Sequence, residues 1–447
     1  MDIAVMVGQL VLSLSILIIL HEGGHFIPSR LFGTRVEKFY LFFDAWGKKL
    51  FSKKIGDTEY GIGWLPLGGY VKISGMIDES MDTEQMKQPA QDWEFRSKPA
   101  WQRLIIMLGG VTVNFFLGLF IFGMVLFVWG EEYLPADQVT YGIHADSLGL
   151  ELGLQHGDQI VAIGEKRTEK FNPRKAYLDI ILGDAQSMTV NRGGREISIP
   201  VDEETAARLA TFANQGPSLY SARIPFQIAQ VQDGLPAAKA GLKHDDQIIS
   251  VDNQPTPYWQ DFQQTMKGKS EASIVLGLIR DGDTMNISLT TTEKGMIGVF
   301  PYQNPDHFFQ TERMDYSFGS ALAAGSRRGI TFLSDQLKAF GQMFRGKIKA
   351  SDSLGGFGTI TSLFPTTWNW EAFWEITAIL SLILALMNLL PIPALDGGHV
   401  MFLLYEVATG RKPSDKFMEY ATLIGFIIII ALVIYANGLD LYRFLSK

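Results

Sequence analysis

His21, Glu22 and His25 stand in an H-E-x-x-H pattern, His21-Glu22-Gly23-Gly24-His25, at the far end of an apolar run that begins near Ile3. On a helix the two imidazoles, four residues apart, share one face and can hold one Zn2+, while the glutamate between them reaches a water activated by that metal. The chemistry implied is hydrolysis of a peptide bond, with Glu22 as general base and then as proton donor to the leaving amine. Two histidines and a glutamate are costly in hydrocarbon unless they face a polar cavity, a metal or a partner. A helix end that reaches the interface with incidental histidines is the plain alternative.

Zinc of the catalytic type wants a third protein ligand and an open position. The ligand is expected far downstream, in Asn388-Leu389-Leu390-Pro391-Ile392-Pro393-Ala394-Leu395-Asp396-Gly397-Gly398-His399. Pro391 and Pro393 break the helix near its end and free backbone groups that need partners in a protein-lined or water-filled site, and a carboxylate follows directly. Asp396 is the expected third ligand. His399, one turn further on, competes for that role and is assigned instead to support of the ligand shell or to local capping.

These residues must be positioned by membrane-spanning elements. Hydrophobic residues make up 47% of the 447 and charged residues only 19%, yet long central stretches are ordinarily polar, so two kinds of segment are mixed. Transmembrane helices are expected over residues 1–30, 103–130, 374–398 and 419–438. The first is expected to persist in the mature chain, since Met1-Asp2 adds no basic charge and no small-x-small cleavage site follows the run. A formal charge of −8 leaves no basic footprint for nucleic acid, and the absence of cysteine removes disulfides and thiolate zinc sites. Arg30, Arg35 and Lys38 after the first span, Arg96, Lys98 and Arg103 before the second, and Arg411, Lys412 and Lys416 between the third and fourth mark two cytoplasmic loops. Both termini and the long middle segment then lie outside the cytoplasm.

That middle segment contains a repeat. Gly153-Leu154-Gln155-His156-Gly157-Asp158-Gln159-Ile160 aligns with Gly241-Leu242-Lys243-His244-Asp245-Asp246-Gln247-Ile248, and each copy leads into a strand-like stretch. The pattern resembles bacterial PDZ domains, placed at residues 135–203 and 221–301, which take peptide C-termini by adding a strand to a sheet edge. The first copy lacks a clear carboxylate-binding loop, and Arg223-Ile224-Pro225-Phe226 is a weak candidate in the second. Both copies could equally serve as spacers. Beyond them, residues 315–349 carry apolar side chains at helical spacing, as in an amphipathic helix that lies on the membrane surface or packs against the helical bundle, or in a linker helix.

In the first cytoplasmic loop, residues 31–102, the stretch around 58–75 (TEYGIGWLPLGGYVKI) reads as a membrane-associated β-hairpin turning at Leu65-Pro66-Leu67-Gly68-Gly69. An open sheet edge is not tolerated in lipid, so such a hairpin would line a protein cavity and offer its edge to a substrate strand, unless it is merely structural. A helical substrate has its carbonyls bonded and shielded and must first be unwound. Gly68 and Gly69 of the hairpin, with Asn388, Pro391 and Pro393 at the broken helix, are the places expected to hold the unwound strand. Asn114 in the second span can hydrogen-bond across helices or reach the active site, and Gly109, Gly110, Gly118 and Gly123 are assigned to close helix packing.

HEGGH in the first span, LPLGGYVKISGM in the following loop, Asn114, the two PDZ-like repeats and NLLPIPALDGGH together resemble the site-2 protease family of intramembrane zinc metalloproteases, in particular its bacterial RseP type. The resemblance covers essentially the whole chain in order. It implies a protease of the bacterial inner membrane that cuts single-span proteins within the bilayer, such as an anti-sigma factor already shortened by another protease, or remnant signal peptides. It implies zinc held by His21, His25 and Asp396, catalysis by Glu22, and substrate contact by Asn388. The chain departs from the family in Gly355-Gly356-Phe357-Gly358, where relatives often carry a Gly-Pro pair, and in Phe42-Phe43-Asp44-Ala45-Trp46, which replaces a glycine-rich stretch. Two readings from other classes compete: a membrane-anchored zinc peptidase acting on non-membrane segments at the cytoplasmic face, and a non-catalytic PDZ scaffold. Neither accounts for Asp396 as well. The expected architecture is a polytopic α-helical membrane protein of four spans with a membrane-associated β-hairpin and two tandem α+β PDZ-like domains.

Overall fold

The computed structural model describes residues 2–66, 68–76, 88–182, 185–210, 218–302, 304–346, 351 and 354–445. It divides into one unit of Met1–Gly130, Asp315–Lys338 and Leu354–Lys447 and a second of Glu131–Met314 and Ala339–Ser353. In chain order the principal helices are α1 (Asp2–Leu31), α2 (Ala100–Trp129), α3 (Phe318–Phe344), α4 (Trp370–Leu389), α5 (Asp396–Thr409) and α6 (Asp415–Leu445). Among the described residues α1, α2, α4 and α6 are the four helices long and apolar enough to cross a membrane. Residues 347–349 of the expected amphipathic segment lie outside the described residues.

Polar side chains inside the apolar bundle find partners on neighbouring helices. Thr377 on α4 donates to the Ser13 hydroxyl on α1 at 2.9 Å, and Ser381 donates to the Asn114 carbonyl on α2 at 2.7 Å. Such bonds fix the register of helices whose apolar surfaces alone discriminate little between registers. At the other end of α2, Arg103 donates to Glu406 of α5 at 2.5 Å, with the arginine almost fully enclosed. α1 stops where Gly33 takes a left-handed φ of 65°: the Gly33 N–H then reaches the Arg30 carbonyl and the Thr34 N–H the Ser29 carbonyl, so the last turn caps itself.

The third span differs from expectation at its C-terminal end. The helix expected over 374–398 ends at Leu389, and Asp396 opens a separate helix. Neither Pro391 nor Pro393 can donate to a helical ladder, and each biases the residue before it away from helix. Gly397 and Gly398 then let α5 begin directly against the Leu389, Leu390 and Ile392 carbonyls, where a Cβ would not fit.

The expected hairpin is also corrected. Strands β1 (Val36–Leu41), β2 (Lys49–Ile55), β3 (Thr58–Gly63) and β4 (Tyr70–Ile73) form one sheet in the order β2-β3-β1-β4. β3 and β4 do not pair with each other; β1 lies between them, parallel to β3 and antiparallel to β4. The true hairpin is β2–β3, closed by the two-residue turn Gly56-Asp57. The LPLGG segment is instead a crossover, and its Leu67 lies outside the described residues. β4 thus stands at the sheet's edge.

In the second unit the repeat is explicit. Strands Gln159–Ile163, Lys166–Arg167, Ser187–Arg192 and Arg195–Pro200 form a four-stranded sheet whose order recurs in Gln247–Val251, Gln254–Pro255, Ser273–Arg280 and Asp283–Thr290. The buried Asp158 accepts from Arg192 and from the Gln155 N–H; the buried Asp246 accepts from Arg280 and from the Lys243 N–H. Each arginine also donates to the glycine that opens its motif, Gly153 or Gly241, at 2.9 Å. The first repeat extends past residue 203, where the sequence had closed it: Leu209, Leu219 and Tyr220 belong to its core, and strand Tyr220–Ala222 pairs with Ile143–Ala145. Residues 211–217, TFANQGP, carry turn-forming Asn, Gly and Pro that read as a domain end and interrupt the continuation.

Candidate metal centre

α1 presents His21 and His25 edge to face, with ring centroids 4.9 Å apart. The start of α5 brings Asp396 to both. His21 Nε2 and His25 Nε2 each lie 3.3 Å from Asp396 Oδ2, and 3.3 Å from each other. Three donors in an equilateral triangle of that edge are what a tetrahedral zinc with bonds of about 2.0–2.1 Å requires, since its ligand atoms stand roughly 3.3–3.4 Å apart. Among the described residues this is the one group of three or more His, Asp and Glu side chains placed to hold a metal ion.

Each imidazole is held by its other nitrogen. The His25 Nδ1–H donates to the Ile106 carbonyl on α2 at 2.8 Å, which leaves Nε2 as the free lone pair facing Asp396. His21 Nδ1 lies 3.2 Å from the amide of Asn114, also on α2 and fully buried. Binding a metal through Nε2 puts the His21 proton on Nδ1, and the Asn114 amide is the side chain in reach to accept it through Oδ1 once turned. Asp396 Oδ2 is a buried acceptor with no hydrogen-bond donor. A His25 ring whose Nδ1–H is fixed on a carbonyl, the adjoining His21 ring and an orphaned carboxylate oxygen, all converging, suit a cation.

The backbone packing that allows this is tight. Pro28 cannot donate to the Gly24 carbonyl, and that carbonyl faces Gly109 on α2, where a Cβ would collide. One residue on, a Cβ at Gly110 would meet the His25 and His21 rings. Gly118 lies against Leu382 and Ala378 and Gly123 against Leu322 and Ala321, which is ordinary helix packing; Gly110 is different, because its missing side chain is the space the ligands occupy.

Glu22 faces the backbone of Val71 on β4 and opens, with the three donors, onto a cavity of about 710 Å3. Asn388, Gly68, Gly69 and His399 line that cavity, as do Tyr70, Val71, Lys72 and Ile73 along β4. Asn388 Nδ2 stands 3.4 Å from His21 Nε2. Pro391 and Pro393 are not among its lining residues: Ala394 and Leu395 are, and Pro393 instead backs Gly398 and Gly425. Gly69 permits close approach, since a Cβ there would meet Ile18 of α1 and the Tyr40 carbonyl.

Sequence reasoning missed two contributors to this wall. Lys38 and Asp44 line the cavity, with Lys38 donating to Asp44 at 2.8 Å and to the Tyr70 hydroxyl at 3.1 Å, while Tyr70 donates to Asp44 at 2.8 Å. Burial pushes the Asp44 carboxyl up, but the bonds from Lys38 and Tyr70 outweigh it and hold the group below the usual carboxylate range. No spacing rule joins a strand residue to a loop six positions on. The Ile106 carbonyl was equally invisible, because any residue type supplies one.

The profile of peptidase family M50 matches residues 9–432. The chain is 26% identical to the regulator of sigma-E protease RseP of Escherichia coli K12, with 98% of each chain covered. It is 26% identical to protease RseP of Yersinia pestis, with 100% of each covered. A Neisseria meningitidis protein provisionally named a zinc metalloprotease is 28% identical, again with 98% of each chain covered.

Proposed function

Since the chain belongs to peptidase family M50 and is a zinc metalloprotease of the site-2 type, we propose that it cuts single-span membrane proteins inside the bilayer, with His21, His25 and Asp396 as zinc ligands and Glu22 as the catalytic base. The observation that carries this reading is the triangle of donors 3.3 Å on edge, formed by α1, which is long and apolar enough to span a membrane, with the start of α5, and opening onto the same cavity as a sheet edge. Zn2+ held there would supply a Lewis acid that polarises the scissile carbonyl and acidifies a water.

The protein's own residues do the rest. Glu22 takes a proton from the attacking water and returns it to the departing amide nitrogen, so that one peptide bond and one water become a carboxylate and an amine. Among the described residues the outer edge of β4 pairs with no strand, and an unwound substrate segment can add to it, its backbone groups satisfied within the cavity rather than in lipid. Asn388 stands close enough to His21 to hold a substrate amide beside the metal, and Gly68 and Gly69 leave room for the strand. Pro391 and Pro393 act by shaping the break from which Asp396 projects.

Substrates of this class include an anti-sigma factor already shortened by another protease, and remnant signal peptides. The two repeats act as PDZ-like domains that read or screen the substrate's outer part; with both termini they lie outside the cytoplasm of a bacterial inner membrane. The test uses purified protein in detergent and a single-span substrate with a trimmed outer domain, comparing wild type with Glu22→Gln and mapping the cut by mass spectrometry. A zinc-dependent cut within the apolar span, lost in Glu22→Gln, is expected. A cut confined to residues outside the span would overturn the reading.

A further inference from the structure

Where α1 ends and α2 begins, the first unit opens a second recess, of about 490 Å3, lined by Arg30, Gly33, Thr34, Arg35, Asp57 and Trp93. Arg30 and Arg35 are exposed, and among the described residues neither guanidinium has a hydrogen bond or ion pair. Lys98, just ahead of α2, brings a third cation: its ammonium is 3.9 Å from where a Cβ on Gly33 would stand. Among the described residues that line the recess, Asp57 supplies the one carboxylate. Beneath them Thr34 is only 1% exposed, and its hydroxyl is buried without a partner.

An arginine in the last turn of a helix commonly compensates the exposed carbonyls there. That role is already filled, because Gly33 and Thr34 cap the turn through their own N–H groups. The cations are therefore unspent. Their depth is set by the spans: α1 leaves the apolar region at Leu31 and α2 enters at Ala100, so the recess lies at the level of lipid headgroups. Trp93 and Trp101 are half exposed beside it, Trp101 edge-on to Phe32, as aromatic side chains at that boundary are. On α1, Ile27 and Leu31 are exposed, forming an apolar strip that leads from the span to the recess.

We infer that this recess is a binding site for the phosphate headgroup of an anionic phospholipid, with Arg30, Arg35 and Lys98 taking the phosphodiester and the Ile27–Leu31 strip taking an acyl chain. A fork-shaped guanidinium suits phosphate oxygens better than any single point charge. The strip distinguishes a lipid from a free anion, which has no use for it. Occupancy bears on the sheet at the metal centre, because the Arg35 N–H donates to the Trp93 carbonyl and the Arg35 carbonyl accepts from Ser74 immediately after β4.

The experiment is native mass spectrometry of the full chain released from mixed micelles of phosphatidylglycerol and phosphatidylcholine, with zinc content as the check on folding. Wild type should retain phosphatidylglycerol preferentially, and each of Arg30→Gln and Arg35→Gln should weaken that retention by about fivefold, as expected for one cation at a membrane surface. Lys53→Gln/Lys54→Gln, which removes two charges from β2 of the same loop, should leave it unchanged. Equal retention of the two lipids by wild type, or an equal loss in the β2 variant, would refute a defined site. Displacement of the lipid by millimolar inorganic phosphate would overturn the lipid assignment in favour of a free anion.

Discussion

Gly110→Ala is the sharpest probe of the metal centre, because it adds one methyl group against the proposed ligands and replaces none of them. A Cβ at position 110 would fall 2.6 Å from His21 Cε1 and 2.8 Å from His21 Nδ1, and nearer still to His25 Nε2. Ordinary contact begins at 3.4 Å, so the His21 ring must retreat by about 0.8 Å at Cε1, from 2.6 to 3.4, and about 0.6 Å at Nδ1, from 2.8 to 3.4. Metal–ligand bonds tolerate deviations of only about 0.2 Å. The same retreat breaks the contact between Nδ1 and Asn114. Loss of such outer support typically weakens a metal by about 10–100-fold, and displacement of the ligand itself places this variant at or beyond the upper end. The assay is zinc affinity by chelator competition on detergent-purified protein, alongside cleavage of the single-span substrate. Gly118→Ala is the control: its Cβ meets Leu382 and Ala378 instead of the ligands, so it should loosen helix packing while keeping zinc. If Gly110→Ala bound zinc within about threefold of wild type and cleaved at the wild-type rate, well short of a 10–100-fold loss, the placement of the two rings against α2 would be wrong.

Asn114→Leu should cost about tenfold in zinc affinity and lower kcat more than it raises KM, because it frees the His21 ring without touching substrate; unchanged zinc affinity would remove Asn114 from the site. Asp158→Ala leaves Arg192 without its carboxylate and should destabilise the first repeat by about 2–4 kcal/mol, less than a fully enclosed pair because the arginine is partly exposed; differential hydrogen exchange in the two repeats would report it. His144 is held below the ordinary histidine range by its burial and by the neighbouring His156 ring, against the pull of Asp146 and Asp261. The folded second unit therefore binds fewer protons there than the unfolded chain, so its stability is complete above the unfolded pKa of about 6.5 and declines as pH falls below it. Thermal unfolding from pH 7 to 5 should show that decline in wild type and a shallower one in His144→Gln; parallel profiles would show that His144 is not the group responsible.

What could be read from the chain is what short-range geometry controls. Two histidines four apart on a helix share a face whatever surrounds them, and apolar runs of sufficient length identify spans without knowledge of their neighbours. The G-L-x-x-x-D-x-I copies marked the repeat, because each Asp must be buried beside its own motif backbone; the arginine 34 residues later that neutralises it carried no local signal. The prolines before Asp396 announced a break, though not that the helix would stop at Leu389 and a new one begin at the carboxylate.

Which groups meet depends on the packing of distant segments. Asp396 rather than His399 completes the triangle, because α5 starts at the aspartate and directs it toward α1. The sheet around the cavity was misjudged because β2, Lys-rich and almost wholly exposed, shows no alternation to betray a strand, and because β1 enters between two strands adjacent in sequence. Asn114, the Ile106 carbonyl and the empty side of Gly110 gain meaning only from α2 lying against α1. The donor types and their spacing on one helix are legible in the chain alone, since they follow from the backbone's own period. Closing them into a site required contacts between segments hundreds of residues apart, whose pairing is set by packing that no local pattern encodes.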